Sequence, residues 1–185
     1  MHPDLKARAS KIKLLLMDVD GVLTDGRLYH FPVYSPEGDM RMAEAKGFDS
    51  QDGIALQWCA KLGIPTGVIS GRVSEATAER ARQAKMKYVY QGYTEKIPIL
   101  EEILADAKVA RDEVAYIGDD LTDIVVMRRV GLAFAVGSAR PEVKRFGHYI
   151  TTAVGGSGAV REVIELILAA QGHWPSILAH YEAGE

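Results

Sequence analysis

The sequence predicts an α/β protein: an open, parallel sheet flanked by helices, with one β-hairpin standing off it. Three observations carry this reading. Five short apolar runs, "KIKLLLMD", "TGVIS", "KYVY", "EVAYIGD" and "LAFAV", lack the polar alternation of a half-exposed strand and therefore read as strands buried on both faces. Segments with helical spacing of apolar residues separate them. One stretch, residues 26–46, has neither pattern.

Each element has its own signal. "KIKLLLMD" is the first strand and runs into Asp18. In the next segment, β-prone Leu28–Tyr34 and Met40–Ala45 flank "SPEGD", a turn signal, which makes a hairpin. A bare hairpin is marginally stable, so its Tyr29, Phe31, Val33 and Tyr34 ask for a partner. Ile54, Trp58 and Leu62, spaced four apart, mark a helix. "TGVIS" is the next strand, and Ser74 before Glu75 starts the helix after it. "KYVY" follows, and Thr94 before Glu95 opens a helix carrying Ile97, Leu100, Leu104 and Ala107. "EVAYIGD" and "LAFAV" complete the strands, and Val160, Val163, Ile164, Ile167 and Leu168 stripe a last helix. Strands alternating with helices imply right-handed crossovers and a ligand site beyond the carboxyl ends of the strands. With no repeat or linker, the expectation is a single domain over residues 1–185, with 26–46 as a hairpin insertion and 173–185 as a C-terminal tail.

Composition narrows the function classes. The chain has 185 residues, 48% hydrophobic and 25% charged, with a net charge of −3. That balance offers no basic footprint for nucleic acid or an anionic membrane. The apolar run at Ile12–Met17 is too short to span a bilayer. Cys59, the one cysteine, sits in an apolar helical pattern, which excludes an intrachain disulfide and suits a reducing cytoplasm.

The chemistry is concentrated at strand ends. Asp18, Asp20 and Asp25 fall within eight residues of "DVDGVLTDG", and Asp119, Asp120 and Asp123 end a later strand in "GDDLTD". Carboxylates packed this closely repel unless a cation joins them, and an all-oxygen set suits Mg²⁺. Singly, Asp25 and Asp123 read as turn and helix caps; two clusters on neighbouring strand ends read as one ion site. Between them, "VISGR" puts the Ser70 hydroxyl, the Gly71 amide and the Arg72 guanidinium at a strand end, where each can hold a phosphate oxygen. Lys96 adds a point charge near the same mouth. In the order Asp-x-Asp, Ser-Gly-Arg, Lys, Gly-Asp-Asp, these stations form a phosphoryl-transfer constellation.

"DVDGVLTDG", "SGR", Lys96 and "GDDLTD" resemble the four motifs of the haloacid dehalogenase superfamily of phosphohydrolases, over residues 14–170. The Thr-Asp-Gly of the first motif and "GGSGAVREV" resemble the small subfamily of 3-deoxy-D-manno-octulosonate 8-phosphate (KDO 8-phosphate) phosphatases. The resemblance implies a Rossmann-like fold with no cap domain. It also implies a mechanism in which Asp18 attacks phosphorus and Asp20 serves as acid and then base. It implies Mg²⁺ held by Asp18, Asp119 and the Asp20 carbonyl, with Ser70 and Lys96 stabilising the transferring group. The sugar would be met by Asp20, Asp49, Asp52, Gly53, Gly71, Arg72 and Arg80. Arg80 lies eight residues beyond Arg72, so both are expected to face one anionic substrate. Gly156 and Arg161, at a glycine-rich helix start, are expected as further anion contacts. Gln51 stands in "FDSQDG" where KDO 8-phosphate phosphatases carry arginine.

A homotetramer is the assembly that the resemblance implies, with hairpins pairing around an axis and each chain covering its neighbour's site. Trp174 and the tail after Gly172 are then expected to reach that neighbour. Relatives acting on nine-carbon sugar acid phosphates share much of the pattern. Two non-enzymatic classes also stand beside it: a phosphorelay receiver, and an inactive phosphatase-like oligomerisation module. Motif order disfavours a receiver, because Lys96 precedes Gly-Asp-Asp and the nucleophile candidate lies in the first motif. The histidines show no metal-ligand spacing.

Overall fold

The computed structural model describes residues 2–184; Met1 and Glu185, the outermost residues of the expected domain and tail, lie outside the described residues. In chain order the elements are α1 (Pro3–Ala9), β1 (Leu14–Met17), β2 (Tyr29–Tyr34), β3 (Met40–Ala45), α2 (Ser50–Lys61), β4 (Thr66–Ser70), α3 (Glu75–Gln83), β5 (Tyr88–Gln91), α4 (Lys96–Ala107), β6 (Val114–Gly118), α5 (Ile124–Met127), β7 (Leu132–Ala135), α6 (Pro141–Lys144), β8 (Tyr149–Ile150), α7 (Ala159–Ala170) and α8 (Trp174–His180).

Six strands form a parallel sheet in the order β5-β4-β1-β6-β7-β8. β1, β4, β6 and β7 are buried at every residue, which is why they read as unbroken apolar runs. Leu16 lies beside Gly67 of β4 on one side and Tyr116 of β6 on the other. The chain therefore leaves β1 in one direction for β4 and β5, then returns across it to β6. That reversal is a topological switch point, and the crevice it opens lies at the carboxyl ends of β1, β4 and β6. The helices flank the sheet, α2 and α7 packing on each other and α4 on α5.

The hairpin β2–β3 pairs antiparallel from Tyr29↔Ala45 to Tyr34↔Met40 and joins no strand of the main sheet. Tyr29, Phe31, Tyr34, Met40 and Met42 are exposed on it. No cap domain is present among the described residues; the hairpin is the one insertion in the α/β alternation.

α1, α6, β8 and the tail differ from the sequence reading, α6 being a single four-residue turn. α1 escapes the periodicity test because it is short and buries only Leu5 and Ala9. β8 has two residues and is not fully buried, too little for a strand signal. The tail after Gly172 does not extend outward: α8 folds back on its own chain. Trp174 meets Trp58 edge to face at 5.8 Å, and the Trp58 Nε1–H donates to the Tyr181 hydroxyl at 3.1 Å. Aromatic contact with the buried Trp58 thus sets the tail against α2 of its own chain.

Candidate active site

Asp18 follows β1 directly, and its backbone N–H donates to the Ile117 carbonyl of β6, which extends the ladder one residue into the crevice. Past it the chain turns sharply: the amides of Val22, Leu23 and Thr24 all bond the Val19 carbonyl. Gly21, at φ +93°, lets this turn close on the second acidic cluster, because a Cβ there would stand 2.2 Å from Asp119 Oδ2. Gly155 and Gly156 press on the same turn from outside, and a Cβ on Gly155 would overlap the Gly21 carbonyl. The glycine-rich segment is therefore a packing surface for the first motif.

A cleft of about 300 Å³ is lined by Asp18, Asp20, Ser70, Gly71, Arg72 and Lys96, and by Thr94, Asp119, Asp120 and Thr122. The four stations expected from sequence thus converge. Lys96, at the first residue of α4 and 2% exposed, donates to Asp18 Oδ1 and Asp123 Oδ1, each at 2.8 Å, and to the Tyr116 hydroxyl at 3.1 Å. Asp123 is fully buried: Oδ1 also accepts from the Tyr116 hydroxyl (2.7 Å), and Oδ2 accepts the amides of Asp119 (2.9 Å) and Asp120 (3.1 Å). A helix-cap reading undervalued this residue; it fixes both the lysine and the loop that carries Asp119.

The electrostatics show an excess of negative charge. Burial, less the pull of Lys96 and with a push from Asp123, raises the Asp18 carboxyl to about 6. Burial and then the charges of Asp123 and Asp18 raise Asp119 to about 8. Asp119 Oδ1 is shielded from solvent and has no hydrogen-bond partner among the described residues. Oxygens of Asp18, Asp119 and Asp123 lie within 4.8 Å of one another. An oxygen-seeking dication fits this set, with Asp18 and Asp119 as carboxylate ligands, because both Asp123 oxygens are already spent on Lys96, Tyr116 and backbone amides.

The remaining expected substrate contacts sit elsewhere. α3 begins at Glu75, so Arg72 lies in the loop before it and eight residues do not amount to two helical turns. Arg72 donates to Glu44 Oε2 at 2.7 Å with its Nε 3.6 Å from Asp20 Oδ2, whereas Arg80 donates to the Asp49 carbonyl and packs over Gly53. Asp49 caps α2 by accepting the amides of Gln51 and Asp52. Asp52, fully buried, accepts the Arg161 amide at 2.7 Å and so ties α2 to the start of α7. Arg161 pairs with Glu165 and lies 4.3 Å over the Trp58 ring. Asp49, Asp52, Gly53, Arg80 and Arg161 are therefore a packing network outside the cleft lining, and Gly156 packs on the turn of the first motif. Cys59 is buried and its thiol is pushed up to about 12 by burial, which makes it inert.

Two residues of the site carry no motif in the sequence. Lys46, just beyond β3, donates to Asp20 Oδ1 at 2.7 Å, and Glu44 holds Arg72. Their signal is the spacing: Glu44 and Lys46 are two apart, so a chain that stays extended past the strand end turns both to one side.

Comparison with known proteins agrees with this geometry. The profile of the haloacid dehalogenase-like hydrolases matches residues 54–164. A 3-deoxy-D-manno-octulosonate 8-phosphate phosphatase of Yersinia pestis is 40% identical over 168 residues, 91% of this chain and 86% of that protein. The chain belongs to the haloacid dehalogenase-like hydrolases, in the 3-deoxy-D-manno-octulosonate 8-phosphate phosphatase family. Among solved structures of such hydrolases, a probable YrbI family phosphatase from Pseudomonas syringae superposes with a TM-score of 0.89 at 41% identity, covering 100% of both chains. A phosphatase of this family from Moraxella catarrhalis, in complex with magnesium, phosphate and KDO, gives a TM-score of 0.87 at 36% identity over 98% of this chain and 99% of that one. Membership of this family sets aside the receiver reading.

Proposed function

We propose that the protein is a Mg²⁺-dependent phosphatase that hydrolyses KDO 8-phosphate to KDO and inorganic phosphate, a step in making lipopolysaccharide precursors. The observation that supports this most is the convergence of Asp18, Asp20, Ser70, Lys96 and Asp119 in one cleft at the switch point of a chain so similar to KDO 8-phosphate phosphatases. In this reading Asp18, with Oδ1 engaged by Lys96, uses its other oxygen to attack phosphorus; the bond to the sugar oxygen breaks, and Asp20 gives that oxygen a proton. Asp20 then takes a proton from water, the water oxygen attacks phosphorus, and the Asp18–phosphorus bond breaks to release phosphate. Lys96 screens Asp18 from Asp123, while the Ser70 hydroxyl, the Gly71 amide and Arg72 hold phosphoryl oxygens. Mg²⁺, bound by Asp18, Asp119 and the Asp20 carbonyl, would neutralise the carboxylate pair and polarise the phosphoryl group.

The hairpin supports a homotetramer, because its apolar side chains have no core of their own to cover them. A neighbour's hairpin over the cleft would supply the closure that a capless phosphatase lacks. A cytoplasmic location fits the lone buried cysteine, and no helix among the described residues is long and apolar enough to cross a membrane. The test is phosphate release from KDO 8-phosphate by chelated protein re-supplied with metal. Mg²⁺ should restore turnover, Ca²⁺ should not, and Asp18→Asn should be folded and inactive; Ca²⁺-supported turnover or an active Asp18→Asn would refute the reading.

A further inference from the structure

Asp20 has two inequivalent oxygens. Oδ1 accepts a hydrogen bond from Lys46 Nζ at 2.7 Å. Oδ2 is shielded from solvent and has no hydrogen-bond partner among the described residues; the Arg72 Nε stands 3.6 Å away, outside bonding distance. The Lys46 side chain is 1% exposed. Burying an ammonium this fully is costly unless a carboxylate meets it, so the Lys46–Asp20 contact is a committed pair and not a solvated surface bridge. Glu44 completes a ring: its Oε1 lies 3.8 Å from Lys46 Nζ and its Oε2 accepts from Arg72 at 2.7 Å. Glu44 and Lys46 come from β3 and the residue after it, so the hairpin that stands off the sheet also feeds two charges back into the cleft.

We propose that Lys46 is a positioning residue for Asp20: it pins Oδ1 so that Oδ2 alone faces the leaving-group oxygen of the substrate. The inference rests on Asp20 acting as acid and base in the proposed reaction. A carboxylate that hands a proton to a departing sugar oxygen needs one oxygen aimed at it and the other anchored, since a freely rotating group spends most of its time misaligned. Lys46 supplies the anchor and does not touch the phosphoryl group itself.

The substrate's leaving group separates this role from a structural one. An alkyl phosphate such as KDO 8-phosphate expels a strongly basic alkoxide and depends on proton donation, whereas p-nitrophenyl phosphate expels a stable phenolate and does not. kcat/KM reports all steps through cleavage of the phosphorus–oxygen bond. Lys46→Met should lower kcat/KM on KDO 8-phosphate by ~10²-fold, the low end of general acid assistance, and that on p-nitrophenyl phosphate by less than about threefold. Adding Lys46→Met to Asp20→Asn should bring no further loss on KDO 8-phosphate. Should Lys46→Met be recovered unfolded, Lys46→Leu, which likewise has no donor for Asp20 Oδ1, is read by the same ratio. Equal losses on the two substrates, or no loss on either, would overturn the inference. The single variant Asp20→Asn keeps the two ideas apart. If it shows the selective loss and the Lys46 variants do not, only the positioning role fails. If Asp20→Asn shows no selectivity, the acid–base reading of Asp20 fails with it.

Discussion

Replacing Asp52 by asparagine tests whether that residue belongs to substrate or to packing. Asp52 is fully buried, Oδ1 accepts the Arg161 amide at 2.7 Å, and Oδ2 is buried without a partner. Burial raises its carboxyl from 3.8 to about 6, and the amides of Arg161 and Gly158 recover only part of that. The folded chain therefore keeps its proton to higher pH than the unfolded chain, and stability falls as pH rises from about 4 to about 6. A rise of about 2 in pKa corresponds to ~3 kcal/mol across that window. Asparagine keeps the acceptor for Arg161 but carries no charge, so it lacks this slope. Its amide in place of Oδ2 adds a constant cost of ~1–3 kcal/mol, the same at every pH. Urea unfolding of both proteins, with metal fixed, should show the variant gaining on wild type by ~3 kcal/mol from the acid to the neutral end of the window. kcat/KM should stay within about threefold, because Asp52 does not line the cleft. Parallel stability curves would refute the burial argument, and a ~10-fold loss of kcat/KM would return Asp52 to the substrate.

Other perturbations separate the roles of the charged cluster. Lys96→Met leaves Asp18 and Asp123 unpaired in a buried site, and thermal melting should show a loss of ~3–5 kcal/mol together with abolished turnover. Asp119→Ala should abolish Mg²⁺-dependent turnover yet hold or raise the melting temperature in chelator, since it removes a carboxyl pushed up by burial and then by the charges of Asp123 and Asp18. Asp123→Ala should lower the melting temperature, because Lys96, Tyr116 and two amides lose their acceptor; equal thermal effects of these two variants would mean that the cluster is misassigned. Phe31→Asp, on the exposed hairpin, should yield smaller particles by light scattering, and an unchanged mass would leave the hairpin without an assembly role.

Much of the cleft was legible because its residues directly follow apolar runs: Asp18 follows β1, Ser70 ends β4 and Asp119 follows β6, so strand order alone brings them to one edge. The hairpin was legible from "SPEGD" between β-prone segments. Lys46 was not, because a lysine after an exposed strand looks solvated, and its partner Asp20 is 26 residues back. The place of Arg80 is not legible from its spacing to Arg72, because α3 starts only at Glu75. The α2–α7 lock through Asp52 joins residues 109 positions apart, which no local pattern encodes. The path of the tail is not legible, because nothing local after α7 shows that Trp174 and Tyr181 find Trp58.

The most direct test of the central claim is kcat/KM for KDO 8-phosphate against a nine-carbon sugar acid 9-phosphate and a neutral hexose phosphate, all with Mg²⁺. KDO 8-phosphate should lead by ~10-fold or more, equivalent to ~1.4 kcal/mol of transition-state stabilisation. A higher value for the nine-carbon substrate would move the assignment to that sugar, and no turnover of any of the three would contradict the phosphatase reading itself.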